Sequence, residues 1–225
     1  MKNGYESNES NRTIYLLLSR KWKLRFSQFF RHFLISVYGV LFAAIIGIPI
    51  GIIVSKRKSL ARWVVRVSNI IQTVPHLAMV SMLMFSFGLG VNVVIITVFL
   101  YSLLPIIKNT YTGMTQVDKN ALDVGKGMGM TAWQRLYMVE LPLAISVIMA
   151  GLRNALVIAI GITAIGTFVG AGGLGDIIVR GTNATDGAAI ILAGALPTAL
   201  MSIITDWILG LIEHRLDPSS RTSKS

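Results

Sequence analysis

The sequence predicts an all-α integral membrane protein with five or six transmembrane helices. Of its 225 residues, 53% are hydrophobic and only 14% are charged, and the mean hydropathy is +0.66. Soluble domains of ordinary composition are much more polar. Five apolar runs are long enough to cross about 30 Å of hydrocarbon as helices. They lie near residues 33–54, 64–87, 90–107, 143–169 and 188–212.

The chain divides into three parts. Residues 1–30 begin with a polar stretch that we expect to be disordered, followed by mixed basic and aromatic residues typical of an amphipathic interfacial segment. Residues 31–217 form the membrane domain, and 218–225 are a polar tail. The fourth apolar run is long enough to break near Gly161 or Gly166, which would create a sixth, short membrane segment.

Polar residues inside the second run mark a candidate translocation pathway. Asn69, Gln72 and Thr73 lie just before Pro75. Because polar groups are costly in hydrocarbon, we expect these side chains to face the interior of the helix bundle. Pathway lining and interhelical hydrogen bonding explain them equally well. Pro75 is expected to bend the second span.

Other polar side chains in the runs favour structural roles. Arg153 lies in the fourth run and Asp206 in the fifth. A salt bridge between them, or snorkelling to the interface, is favoured over contact with a substrate. Tyr101 and Tyr111 fit anchoring at the membrane interface better than an aromatic cage for a quaternary ammonium group.

The cations predict the orientation in the membrane. The formal net charge is +11, and the Lys and Arg residues cluster between the apolar runs. One side of the membrane would hold 12 cations and the other side 8, so we predict that the side with 12 is the cytoplasm. These 12 cations lie in loop 55–66, loop 108–142 and the C-terminal tail. Seven of the 8 cations on the other side lie in the N-terminal lead. An even number of spans would place this lead in the cytoplasm as well. The pattern suits anionic membrane lipids and not nucleic acid.

The longest polar connection between the runs, residues 117–142, has an internal organisation. Asp118 is suited to cap a first short helix. Three glycines at alternate positions then disfavour continued helix by roughly 1 kcal/mol each relative to alanine, so we expect the chain to turn there. They are Gly125, Gly127 and Gly129.

A second short helix is predicted after the glycines. Thr131 and Gln134 have the spacing of a capping box, in which each side chain bonds the backbone N–H of the other residue. We expect this helix to cover 132–140 and to end near Leu141 and Pro142, since proline suits the first turn of the next span. Two short helices bent at glycine predict a compact knob that projects from the membrane.

This loop resembles the signature of ABC importer permeases. In that family the loop reads Glu-Ala-Ala, three residues, Gly, nine residues, Ile, one residue, Leu-Pro. The spacing is kept here, and the substitutions preserve acidic, small and branched side chains while making the first helix less stable. The matching residues are Asp123, Val124 and Gly125 for the triplet, Gly129 for the glycine, Val139 for the isoleucine, and Leu141 with Pro142 for the final pair.

Five stretches resemble a narrower group, the permeases of importers for quaternary-amine osmoprotectants. Those systems take up glycine betaine, carnitine or choline. The similarity extends from about residue 31 to about residue 217, nearly the whole membrane domain. The stretches are 69–77, 99–113, 125–131, 139–153 and 168–176.

The resemblance implies the type I ABC importer permease fold in a bacterial cell membrane, with 117–142 as a cytoplasmic coupling loop. Gly129 would provide the bend and Asp123 a charged contact or cap, with Lys126 in the same segment. The implied partners are membrane lipids, a dimer of ATP-binding subunits, a paralogous second permease that completes the pore, and an extracellular substrate-binding protein. The chain itself would hold no cofactor, because ATP would be bound by the partner subunit.

Several motifs fail as catalytic or metal sites. Residues 170–175 fit a GxGxxG pattern, but they follow a membrane run and not a strand, so a flexible external turn or gate is the better interpretation. A Walker A motif around Lys126 fails because position 120 is Asn and position 127 is Gly. The three His residues have no metal-ligand spacing. We therefore predict a transport subunit without an ATPase site or a metal site.

Two alternatives remain open from the sequence. A permease for amino acids or methionine would share the coupling loop. A channel or an ion-coupled secondary transporter would need no ATPase at all, and its transport would persist after ATP depletion.

Overall fold

The computed structural model describes residues 3–185 and 187–216, with the side chains of 3–25 and Lys58 outside the description. Within these ranges every regular element is helical. The α-helices are α1 (Asn3–Ser55), α2 (Lys58–Thr73), α3 (His76–Phe87), α4 (Val91–Thr115), α5 (Lys119–Gly127), α6 (Ala132–Arg135), α7 (Leu141–Ile165), α8 (Leu174–Thr182) and α9 (Ala188–Leu216). A π-helical turn (Leu136–Glu140) joins α6 to α7, and a 3₁₀ turn (Gly166–Val169) follows α7.

The predicted apolar runs are all helical and long enough for a membrane protein of up to five spans. Four continuous helical segments are long and apolar enough to cross a bilayer, and α2 with α3 forms a fifth candidate, bent by 94°. The bend lies at Val74 and Pro75, which confirms the predicted role of Pro75. The four segments are Phe26–Ser55, Val91–Thr115, Ala132–Val169 and Ala188–Leu216.

Two helix boundaries differ from the sequence prediction, one in α1 and one in α4. We expected a disordered start, but helix α1 already begins at Asn3. The physical reason is that a helix extends from a stable span more readily than it nucleates alone. The amphipathic interfacial segment remains a prediction. Helix α4 extends to Thr115, eight residues beyond the predicted 107. The polar tail 218–225 lies outside the described residues.

Helix α4 is the centre of the bundle and packs most extensively against α1 and α7. Small residues at every fourth position of α1 allow the close approach, as is common between membrane helices. A Cβ atom at Gly39 would lie 2.3 Å from Val98 Cγ1, and one at Gly51 would lie 2.5 Å from Thr110 Cβ. The small residues are Gly39, Ala43, Gly47 and Gly51.

The other side of α4 meets α7 in the same way. A Cβ atom at Gly151 of α7 would be 3.0 Å from the Pro105 carbonyl of α4. One at Gly113 of α4 would be 3.0 Å from the Ala144 carbonyl of α7. Both backbones therefore touch, and the position of α7 relative to α4 is fixed by contact and not only by the loop that connects them.

The predicted break in the fourth run occurs at Gly166 and not at Gly161. Gly161 lies inside α7, whereas the 3₁₀ turn begins at Gly166. The sixth segment exists as the nine-residue α8, which packs on α9. At about 1.5 Å per residue it is too short to cross the membrane by itself.

Candidate coupling site

Helix α5 begins where the sequence predicts. Asp118 is its N-cap, and the carboxylate accepts a hydrogen bond of 3.1 Å from the Asn120 N–H. The helix continues through Gly125 to Gly127, so two of the three glycines that we expected to form the turn are helical. Glycine destabilises a helix, but residues 119–124 already form a helical turn, and extending a helix costs less than starting one.

The turn itself is made by Gly129. Its φ of +74° lies in the left-handed region, which other residues adopt only at a cost. The Gly129 N–H bonds the Lys126 carbonyl at 2.9 Å, and the Met130 N–H bonds the Gly125 carbonyl at 3.1 Å. These bonds close the C-terminal end of α5 and fix the angle at which α6 leaves. The predicted bend at Gly129 is confirmed.

Helix α6 starts with the predicted capping box. The Thr131 hydroxyl accepts from the Gln134 N–H, and the Gln134 side chain accepts from the Thr131 N–H at 2.8 Å. The predicted boundary at Leu141 and Pro142 coincides with the start of α7, although the π-helical turn joins α6 to α7 without a break. Pro142 occupies the first turn of α7, where it needs no hydrogen-bond donor and interrupts nothing.

The loop exposes an apolar surface that the motif did not reveal. We call it the docking patch; its side chains are between 62% and 72% exposed. The rings of Trp133 and Tyr137 are stacked with their centroids 5.7 Å apart. Exposed apolar patches on projecting segments mark interaction surfaces. The patch consists of Val124, Met128, Trp133, Tyr137 and Met138.

Next to the patch lies an exposed ion pair. Lys126 Nζ donates to Asp123 Oδ1 at 2.8 Å, one helical turn apart. The hydrogen bond from Lys126 and its positive charge lower the pKa of Asp123, so the carboxylate is ionised at neutral pH. Asp123 is therefore a charged surface group in the middle of α5, and the capping role belongs to Asp118.

Buried contacts join the loop to the spans. An apolar cluster lies beneath α5 and α6 and includes residues from α1, α4 and α7. Glu140, which sequence reasoning did not select, is buried beside this cluster and pairs with Lys56 and Arg135. The cluster contains Ile48, Ile52, Met114, Val117, Leu122, Leu136, Leu141, Ala144 and Ile148.

The candidate pathway residues separate into different roles. The Gln72 amide donates to the Tyr101 carbonyl at 3.2 Å, so it joins α2 to α4. The Thr73 hydroxyl donates to the Ile70 carbonyl of its own helix at 2.7 Å and is exposed on the surface of the isolated chain. The Tyr101 hydroxyl donates to the Val74 carbonyl at the break, and its ring is 1% exposed, which contradicts an interfacial position.

Asn69 is exposed on the surface of the isolated chain, where it lines a cavity of about 680 Å³ between α2 and α4. The cavity lining includes two arginines and one amide, and its residues come from positions 61–69 of α2 and from the last turns of α4. Its lining is Ala61, Arg62, Val65, Arg66, Asn69 and Tyr111.

A charged cluster connects α7 and α9. Arg153 donates two hydrogen bonds to Asp206, at 2.5 and 2.8 Å, and a third to Glu213 at 3.3 Å. The predicted Arg153 and Asp206 salt bridge is confirmed and extended by Glu213. All three side chains are between 26% and 42% exposed on the surface of the isolated chain.

The glycine-rich segment 170–175 is attached to α1. The His32 ring donates from Nε2 to the Ile160 carbonyl at 2.9 Å, and its Nδ1 accepts from the Leu174 N–H at 3.2 Å. Arg31 donates to the Ala171 carbonyl at 2.8 Å, and Gln28 accepts from the Gly173 N–H at 2.5 Å. These bonds replace the expected flexible turn with a fixed connection. Among the described residues, no three His, Cys or acidic side chains form a metal-binding group.

A helical bundle with a broken second span and a two-helix loop between α4 and α7 fits one class of protein, the membrane permeases of binding-protein-dependent importers. Residues 28–218 match the family described as binding-protein-dependent transport system inner membrane component. The chain belongs to this family, and it is a multi-pass membrane protein of the ABC importer type.

Curated relatives place the chain more narrowly. It is 64% identical over 197 residues to the carnitine transport permease protein OpuCD of Listeria monocytogenes, with 88% of each chain covered. It is 66% identical over 191 residues to the glycine betaine/carnitine/choline transport system permease protein OpuCD of Bacillus subtilis, covering 85% of this chain and 83% of the relative. OpuCB, a permease of the same description in Bacillus subtilis, is 41% identical over 187 residues, with 83% and 86% covered.

A solved structure shares the fold. An inward-facing form of the MetNI methionine ABC transporter superimposes with a TM-score of 0.78 at 18% identity, covering 88% of this chain and 98% of the other. The predicted type I importer permease fold is therefore confirmed.

Proposed function

We propose that this chain is the permease subunit of an ATP-driven importer of quaternary-amine osmoprotectants. The observation that carries the proposal is the identity of 64% and 66% to permeases whose described substrates are carnitine, and glycine betaine, carnitine and choline. The chain would form half of the translocation pore.

The docking patch supports a separate ATPase as partner. Five exposed apolar side chains on a projecting knob are unfavourable in water, and the Trp133 and Tyr137 rings are of the types that contribute most to binding interfaces. The knob would insert into a cytoplasmic ATP-binding subunit, one of a dimer. ATP would be bound and hydrolysed there, so this chain needs no cofactor and no ATPase site of its own.

A second permease would complete the pore. The charged cluster of Arg153, Asp206 and Glu213 is partly exposed within membrane helices, and ionised groups facing lipid are costly. Cover by another subunit or by a water-filled pathway removes that cost. Because a related permease, OpuCB, occurs beside OpuCD in Bacillus subtilis, we propose a paralogous partner and a heterodimer. An extracellular binding protein would deliver the substrate.

The test is uptake by the reconstituted complex. The chain is co-produced with its paralogous permease, ATP-binding subunit and binding protein, and is placed in proteoliposomes. We expect ATP-dependent accumulation of at least one of glycine betaine, carnitine and choline. Accumulation of methionine or another amino acid instead would assign the substrate class differently. Transport without ATP under an ion gradient would contradict the proposal.

Asn69 is our proposed pathway residue, because its side chain lines the cavity between α2 and α4. We expect Asn69→Leu to lower uptake by about tenfold, since losing one polar contact along the path is worth roughly 1 kcal/mol or more. The control is Ile70→Leu, which places the same side chain at the next, equally exposed position of α2 without removing a polar group. Equal uptake by the two variants would remove Asn69 from the pathway.

Gln72, Thr73 and Pro75 contribute differently to the proposed pathway. Gln72 and Pro75 would hold the shape of the broken span, and the exposed Thr73 would line it near the break.

A further inference from the structure

Glu140 is a buried acid at the base of the candidate coupling loop. Its side chain is 3% exposed, whereas the side chains of its two partners, Lys56 and Arg135, are 52% and 22% exposed. A buried carboxylate is stable only when it is paired and hydrogen-bonded. Lys56 Nζ donates to Oε2, and Arg135 Nε donates to Oε1 at 3.4 Å. One carboxylate therefore joins two cations that belong to different parts of the fold.

The two cations lie on elements with different tasks. Arg135 is the last residue of α6, between the docking-patch residues Trp133 and Tyr137. Lys56 directly follows α1, and its N–H bonds the Ile53 carbonyl at 3.2 Å, so it continues the last turn of that helix. The sequence separation between Lys56 and Glu140 is 84 residues. Through Glu140, α6, which we call the docking helix, is thus joined to the end of the first span.

The π-helical turn places the acid there. The Leu141 N–H bonds the Leu136 carbonyl, five residues earlier, which adds one residue to the turn relative to an α-helix. π-helical turns of this kind are frequent at functional sites. The residue at position 140 is also the one that the family signature leaves unspecified, between Val139 and Leu141.

The apolar cluster makes this contact stiff. Ile48 and Ile52 of α1 pack against the buried residues of the cluster, which come from the end of α4, the loop and α7. Glu140 is buried between the cluster residues Leu136 and Leu141 along the chain and is paired with Arg135 of α6, so we expect the carboxylate to move when α6 moves.

We propose that Lys56 and Glu140 form a positioning link that transmits movement of the docking helix to α1 as well as to α7. This inference rests on the proposed function, because movement of the docking helix follows from ATP-driven closure of a partner. In the absence of the link, the loop would still bind the ATPase and still pull on α7, but α1 would lag behind. ATP would then be hydrolysed with less substrate transported.

The experiment measures substrate transported per ATP hydrolysed in proteoliposomes that hold the complete complex. Lys56→Met removes the charge and keeps the length of the side chain, whereas Lys56→Arg keeps the charge. We expect Lys56→Met to lower the ratio by about tenfold and Lys56→Arg to stay near wild type. Glu140→Gln removes the pair with Lys56 and also the one with Arg135, so it is expected to lower the ratio at least as far as Lys56→Met. The double variant should be no worse than Glu140→Gln alone, because the pair with Lys56 is already lost there.

Arg57→Met provides the matched control. Arg57 is the next residue, is exposed, and has no acidic partner in the described part of the chain. The inference is overturned if Lys56→Met keeps the wild-type ratio, or if it lowers transport and ATP hydrolysis in the same proportion, as a purely structural defect would. If the wild-type complex itself shows no ATP-driven uptake, the proposed function fails instead, and the two failures are distinguished.

Discussion

Replacing Gly129 with valine is expected to reduce uptake by about tenfold or more while the protein still inserts into the membrane. Gly129 has a φ of +74°, and a β-branched residue is strongly disfavoured in that conformation. Apart from Gly129 and its two chain neighbours, no heavy atom of the described residues lies within 4 Å of the position that a Cβ atom would take, so the effect comes from the backbone and not from a clash. Strain of about 1–2 kcal/mol would turn α6 and its docking patch away from the ATPase and reduce uptake by about tenfold or more.

Gly127→Val is the matched control for this prediction. Gly127 also has open space at its Cβ position, but it is helical, at the end of α5. The two variants therefore add the same side chain to the same loop and differ in backbone strain. ATP-dependent uptake and co-purification of the ATP-binding subunit are measured for both. Normal uptake by Gly129→Val would contradict a role for the turn in coupling.

Gly39→Ala is expected to have the largest effect on stability. The added methyl group would lie 2.3 Å from Val98 Cγ1 and 2.6 Å from Val98 Cβ. Val98 is fully buried and β-branched, so it cannot rotate away, and α1 must move off α4. Overpacking of this kind costs about 1–3 kcal/mol. We expect a clearly lower midpoint of thermal unfolding in detergent and a smaller yield of folded protein.

Gly161→Ala tests whether the loss of stability in Gly39→Ala comes from the close contact between α1 and α4. Gly161 lies within α7, and no heavy atom lies within 4 Å of its Cβ position. Both substitutions replace a helical glycine by alanine, which favours helix by up to about 1 kcal/mol when nothing interferes. The Gly161 variant should match or exceed the wild-type midpoint. If both variants behave alike, the α1 to α4 contact does not depend on glycine.

Features that depend on neighbouring residues could be predicted from the sequence. The Asp118 cap, the Thr131 and Gln134 capping box, and the bend at Pro75 all occur as expected, because each arises within about four residues of chain. The five apolar runs likewise follow from helix length and hydrocarbon thickness. The prediction failed where helix continuity was decided beyond the local sequence, as in α4 after 107 and at Glu140, where the π-helical turn continues without a break into α7.

The spacing of the motif identified the candidate coupling loop from the sequence, but it did not identify the docking patch. The motif marks Asp123, Gly129 and Pro142, whereas the exposed patch around Trp133 and Tyr137 depends on which faces of α5 and α6 the fold leaves uncovered. A helical wheel cannot predict which face stays exposed for segments as short as nine and four residues.

The sequence by itself determined that this chain spans a membrane, that its loop 117–142 bends at a glycine, and that the loop has the spacing of an importer permease. Only the tertiary structure decided what the loop is attached to. Glu140 meets Lys56 across 84 residues, and His32 meets Leu174 across 142. Such contacts depend on how closely helices approach, which glycines such as Gly39 allow, and no local pattern encodes which distant helix fills the space.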